Sequence, residues 1–265
     1  MQLHVTHTTR YAYDAPVIYG LQKIRLRPVA SHMQSVSDWT LTVTGGKIEC
    51  SYTDHHGNLT DLVSITPEGD AVEITAQGTI NTEDTHGVFG KVYGRVPLYL
   101  LRMPTSTTEA GPKIKAFART LDKHDDLLTG LHALSAAILK AVPYESGHTD
   151  ATTTAEEALA GGKGVCQDHA QIFIAAARLA GLPARYVSGY LMMDDQVDQD
   201  ASHAWAEVHL DTLGWVGFDV SNGISPDERY IRIAVGRDAK EASPIEGMRM
   251  GSADESMIVS LQVQQ

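Results

Sequence analysis

The sequence predicts an α+β protein: an all-β, sandwich-like region first, then helices packed on an antiparallel sheet. Three observations point there. The first hundred residues carry short β-branched and aromatic segments divided by turn signals. A Pro-, Gly- and Thr-rich stretch, PTSTTEAGP, follows at 104–112. Beyond it apolar residues recur at helical spacing before strand-like runs return.

Taken in order, Leu3–Tyr13, Trp39–Cys50 and Val72–Ile80 read as strands. Asp14–Pro16, Gly45-Gly46, His56-Gly57-Asn58 and Pro67–Asp70 read as turns. Residues 104–112 read as a linker, giving a β domain over 1–103 and a core over 113–265. Pro112 suits the first position of a helix reaching about Leu121. Leu127, Leu128, Leu131, Leu134, Ile138 and Val142 keep helical spacing until Pro143 ends the run. Thr153 or Thr154 with a glutamate three residues on marks a short helix at 154–159. Glycines at 161, 162 and 164 precede a further helix from Cys166 to Ala180, with Ile172, Phe173, Ala176, Leu179 and Ala180 expected on its buried face. Strands return at Arg185–Met193, His203–Leu210, Trp215–Val220 and Met257–Val263, with Asp194–Asp200 expected as an exposed loop.

The composition is that of a globular protein, with 43% hydrophobic and 20% charged residues. A net charge of −12 argues against general nucleic-acid binding, which needs a basic face, and against docking on anionic lipid. No apolar run approaches the roughly 20 residues a bilayer requires. The N-terminal MQLHVTHTTRYAYD has no basic region followed by an apolar core. A cytoplasmic location is therefore expected, where Cys50 and Cys166 stay reduced.

Cys166 stands at a predicted helix start behind a glycine-rich turn. First-turn N–H groups there lack helical partners and carry the positive end of the dipole, which favours a thiolate nucleophile and an oxyanion beside it. Such a thiol needs a histidine base, and the base an orienter. His203 opens one predicted strand and Asp219 closes the next. A turn at Leu213-Gly214 makes them a hairpin and brings the two near each other.

These segments resemble the transglutaminase-like superfamily. The resemblance lies in Gly164-Val165-Cys166, His203-Ala204-Trp205 and Gly217-Phe218-Asp219. HTTRYAYDAPV and RLRPV near the N-terminus resemble the β domain that precedes this core in bacterial members. The resemblance implies a papain-like α+β core and a Cys166–His203–Asp219 triad. It implies attack on an amide or ester carbonyl to give a thioester, then transfer to water or an amine. Relatives often have Pro and Thr after the aspartate; this chain has Val220 and Ser221.

A peptide or protein substrate is expected, with hydrolysis favoured because no residue pattern marks a water-excluding amine tunnel. Amine transfer is the alternative within enzymes, and a non-catalytic binding module the alternative outside them. No calcium loop and no C-x-x-C pair is visible, so neither metal nor cofactor is expected. A zinc reading of Cys166, His169, His203 and His209 lacks a second nearby cysteine. Tyr144 is the candidate second oxyanion donor, with Gln167 a weaker one. His169 and Trp205 are candidate pocket residues; a polar helix residue or a donor behind the pocket is the stronger reading of His169, and a packing role suits Trp205 equally. Oligomeric state is not legible.

Overall fold

The computed structural model describes residues 1–265 except 16, 67–69, 93–94, 194–196, 200 and 251–253. The expected turns at Asp14–Pro16 and Pro67–Asp70 fall partly outside the described residues. Seven strands come first: β1 (Gln2–Tyr13), β2 (Tyr19–Arg27), β3 (Gln34–Thr44), β4 (Gly46–Thr53), β5 (Leu59–Ile65), β6 (Ala71–Thr82) and β7 (Val88–Gly90). The helices are α1 (Pro112–Ala118), α2 (Leu127–Ala141), α3 (Ala155–Gly161) and α4 (Cys166–Leu179). Then come β8 (Ala184–Leu191), β9 (Asp198–Gln199), β10 (His203–Leu210), β11 (Gly214–Phe218), β12 (Tyr230–Gly236), β13 (Ile245–Met250) and β14 (Glu255–Gln264).

Among the described residues three antiparallel sheets form. Their strand orders are β3-β6-β1-β14-β9, β13-β2-β5-β4 and β12-β8-β10-β11-β7. The first two pack Ile24, Leu26, Val63, Val72 and Ile74 between them, a β-sandwich core. The third sheet receives the helices. The fold is thus the α+β architecture expected from the sequence, preceded by an N-terminal β domain.

Two boundaries differ from the sequence reading. β13 pairs with β2 and β14 with β1, so the last two strands extend the N-terminal sheets although the core was expected to run to 265. Conversely, β7 pairs with β11 and adds residues 88–90 to the core sheet. Alternation marks a strand but not its partner. Residues 104–112 hold no helix until Pro112, yet they are packed down. Thr108 is buried and accepts from Arg178 Nη1 at 2.8 Å, and the Thr107 carbonyl accepts from Ala155 N at 2.8 Å. The expected loop 194–200 contains β9, which pairs with β14; residues 194–196 and 200 lie outside the described residues.

α4 is the centre of the core. Ile172, Phe173 and Ala176 are fully buried as expected, whereas Leu179 and Ala180 are exposed. Ala175 and Ala177 are buried as well, because α1, α2 and α3 cover the side of α4 that the sheet does not. Burying residues the size of Ile172 and Phe173 contributes on the order of 2 kcal/mol each. Ala204, Ala206 and Val208 of β10 face this helix. Their small side chains let α4 lie close to the sheet. No helix among the described residues is long and apolar enough to cross a membrane.

Candidate active site

Three structural units converge on Cys166. The first is the turn before α4. Gly164 forms a parallel bridge with Tyr144, and its carbonyl accepts from Glu145 N at 2.9 Å. A Cβ at Gly164 would meet the Asp168 carboxylate at 2.7 Å, so only glycine fits. Asp168, in the first turn, reaches back to accept from Val165 N at 2.8 Å and from Thr149 Oγ1 at 2.7 Å. The residue capping α4 is Val165, whose side chain offers no acceptor. First-turn N–H groups at Cys166 are therefore left for an anion rather than consumed by a cap.

The second unit is the β10–β11 hairpin. β11 is held against α4 by Phe218, whose ring stacks on Phe173 at 5.0 Å. Asp219 follows directly and is fully buried. His203, at the start of β10, pairs across to Gly189 of β8. A Cβ at Gly189 would run into the Trp205 ring and the Ile231 carbonyl, which explains a glycine in a strand buried on both faces.

The His203 Nε2 lies 2.6 Å from Asp219 Oδ2. That leaves Nδ1 as the ring nitrogen for Cys166, with which His203 also hydrogen-bonds. Burial alone would lower the histidine pKa. The hydrogen bond to Asp219, the one to Cys166 and the two negative charges outweigh burial and raise it to about 10. Burial likewise pushes Asp219 up, but the His203 hydrogen bond and charge, with donors from Asn222 and Tyr230, hold it below the ordinary carboxylate value.

Those last two donors make the third unit, which the sequence reading did not contain. Asn222 Nδ2 and Tyr230 Oη each donate to Asp219 Oδ2 at 2.7 Å. Asn222 N adds a bond to Oδ1 at 3.3 Å. The carboxylate is thus fixed from the following turn and from β12. Tyr230 also packs edge-on against Trp205, with ring centroids 5.5 Å apart. An asparagine three residues after the aspartate was the one available signal; Tyr230 had none, because β12 was not anticipated.

The remaining candidates separate. Tyr144 is about half exposed (56%). Partial burial, then the negative charges of Cys166, Asp219 and Asp168, raise its pKa, and its ring meets His169 edge-on with centroids 6.1 Å apart. Gln167 points away and donates to the Asp150 carbonyl at 3.4 Å. His169 is fully buried, with Nε2 2.6 Å from the Val142 carbonyl and Nδ1 2.8 Å from Ser221 Oγ. A carbonyl only accepts, so Nε2 carries the proton and Nδ1 accepts from the serine. His169 therefore ties α2 to the turn after Asp219 and does not line a pocket. Trp205 is buried, with its ring centroid 6.3 Å from that of His203. Cys50 is exposed on β4.

The chain belongs to the transglutaminase-like superfamily. Residues 115–220 match the model of that superfamily and residues 3–81 the bacterial transglutaminase-like N-terminal region. Rv2569c of Mycobacterium tuberculosis, itself uncharacterized, is 30% identical over 96% of this chain and 89% of its own. ML0607 of Mycobacterium leprae, also uncharacterized, is 24% identical over 99% and 98%. In fold the chain is similar to a candidate cysteine protease from Cytophaga hutchinsonii, with a TM-score of 0.79 and 21% identity over 100% of this chain and 91% of that one.

Proposed function

We propose that the protein is a cysteine-dependent amide hydrolase acting on a peptide or isopeptide through a thioester on Cys166. One observation carries this reading: a single imidazole, His203, bonds Asp219 through one nitrogen and meets the first residue of α4, a cysteine, through the other. In this scheme His203 already holds the Cys166 proton as an imidazolium, and the thiolate sulfur attacks the carbonyl carbon. The oxyanion is met by the Cys166 N–H and the Tyr144 phenol. The imidazolium then protonates the departing amine as the C–N bond breaks. Water attacks the thioester, gives its proton to His203, and releases the acid, which restores the thiolate–imidazolium pair. Asp219 holds the ring throughout, and Asn222 and Tyr230 hold Asp219.

The catalytic roles of Cys166, His203, Asp219 and Tyr144 are thus proposed on geometry. Two unbridged cysteines suit a reducing compartment, which favours a cytoplasmic site of action. The test is to incubate the protein with a peptide library, with and without a primary amine, and to weigh both products and protein. A thioester-mass adduct on Cys166, absent in Cys166→Ala, with free acid as the main product, is the expected result. An amine adduct as the main product would make the enzyme a transferase. Turnover undiminished in Cys166→Ala would end the proposal.

A further inference from the structure

We propose that the protein carries a second binding site, for a small organic carboxylate, at Arg185 and Arg232 on the seam between the N-terminal sheets and the core sheet. A cavity of about 270 Å³ lies there, with Val29 and His32 on the N-terminal side and Phe89, Val235 and the two arginines on the core side. This is close to the low end of the usual range for small-molecule pockets, about 300–1,000 Å³.

The charges of the site do not balance. Arg185 Nε donates to Glu207 Oε2 at 2.6 Å. Arg232 donates to the same carboxylate through Nε at 2.8 Å and Nη2 at 3.0 Å. Two guanidinium groups share one carboxylate, leaving one positive charge over. His56 also lines the cavity, but it pairs with Glu241, whose charge Arg237 already offsets. The excess therefore sits on the arginine pair. Arg185 is only 8% exposed, and its Nη2 has no hydrogen-bond partner among the described residues. A buried donor without an acceptor is costly, and a cation more so.

The arginines are also rigidly presented. Arg185 lies over the Trp215 ring with its guanidinium carbon 3.8 Å from the centroid, and Arg232 lies over Phe89 at 4.4 Å. Such stacking fixes a planar fork without supplying an acceptor. A carboxylate matches that fork and the single surplus charge. The apolar walls from Val29 and Val235 suit a short hydrocarbon body. A phosphate dianion would bring a second negative charge that the site does not offset. Glu207 is four residues along β10 from His203, about 13 Å at strand spacing. The site is thus separate from the thiol. The carboxylate there is either a free acid or the end of a peptide chain.

The test is calorimetry at low ionic strength on Cys166→Ala, so that binding is read without turnover. Sodium hexanoate is the probe, with hexanamide and inorganic phosphate as controls. Saturable one-to-one binding of hexanoate is expected, with none of hexanamide. Arg232→Gln should weaken it about tenfold or more. Ala30→Trp, which fills the rim from an exposed position, should abolish it with little change in melting temperature. Competition by a tetrapeptide acid but not its C-terminal amide assigns the carboxylate to a chain end; competition by neither assigns it to a free acid. No saturable hexanoate binding, equal binding of hexanamide, tighter binding of phosphate, or unchanged affinity in Arg232→Gln would overturn the proposal.

Discussion

His203 is the residue whose protonation state decides what the site can do. Its pKa is raised to about 10, so the ring is an imidazolium at neutral pH. A raised histidine stabilises the fold fully below its unfolded value near 6.5, and that contribution is lost as pH climbs through about 10. Nitrogen NMR of His203 should therefore show a cation through neutral pH. Asp219→Asn and Cys166→Ser should each bring the titration down; an unchanged midpoint in both would contradict the pairing. Alkylation provides a second reading with an internal control. At pH 6, iodoacetamide should modify Cys166 about tenfold faster than exposed Cys50, and the advantage should vanish in His203→Ala. On the proposed role of the Tyr144 phenol as an oxyanion donor, Tyr144→Phe should cut kcat about 100-fold with KM little altered. A loss confined to KM would make Tyr144 a binding residue. At this scale Cys166, His203 and Asp219 were legible, because their residue types, order and hairpin spacing are local. Asn222 and Tyr230 were not, since what defines them is a bond to a carboxylate that only tertiary structure brings near.

At the scale of elements, the strands that escaped the sequence each break simple alternation in a different way. β2 (LQKIRLR within it) buries Gln22 and Arg25, so its inner face is partly polar and alternation is masked. β13 is an edge strand with Met248 and Met250 exposed, and it shows no apolar face at all. β12 is nearly all apolar, but it too is an edge, closed by side chains instead of a strand. Gln34 accepts from Arg232 N at 2.9 Å and donates to its carbonyl at 2.8 Å. Asn58 accepts from Val235 N at 2.8 Å and donates to its carbonyl at 2.8 Å. Each primary amide thus imitates one residue of a neighbouring strand and covers an edge that would otherwise be unpaired. Both amides come from the N-terminal half, so they also fasten it to the core. Asn58→Ala leaves a buried N–H and C=O without partners and should cost about 2–3 kcal/mol in urea unfolding. Asn58→Asp keeps the acceptor but loses the donor and should lie between. A cost under 0.5 kcal/mol for the alanine would mean the edge finds water instead.

Across the whole molecule the two halves share a core that no sequence period announces. Leu3, Val5, Ile80, Leu261 and Val263 of the N-terminal sheet pack with Tyr190, Ile231 and Ile233 of the core sheet. His7 sits in this seam, 3% exposed, its Nδ1 2.8 Å from Tyr190 Oη and its Nε2 3.2 Å from Thr9 Oγ1. Burial lowers its pKa from 6.5 to about 4. Between those values the unfolded chain binds a proton that the folded protein refuses, so stability falls as pH falls. A shift of that size corresponds to roughly 3 kcal/mol as an upper figure. His169 and His209, also lowered by burial, act with the same sign. His203 contributes nothing to the slope here, because its window lies above 6.5. Glu207 is held down to about 2 and Glu241 well below the usual carboxylate range, so their losses begin only below about 4.5. The interval from pH 6.5 to 4.5 therefore isolates the three histidines that burial lowers. Urea midpoints measured across it should fall steadily in the parent. They should fall clearly less steeply in His7→Gln, whose amide can meet the same hydroxyls without taking a proton. An identical slope in that variant would remove His7 from the account and leave His169 and His209 as the acid-sensitive groups.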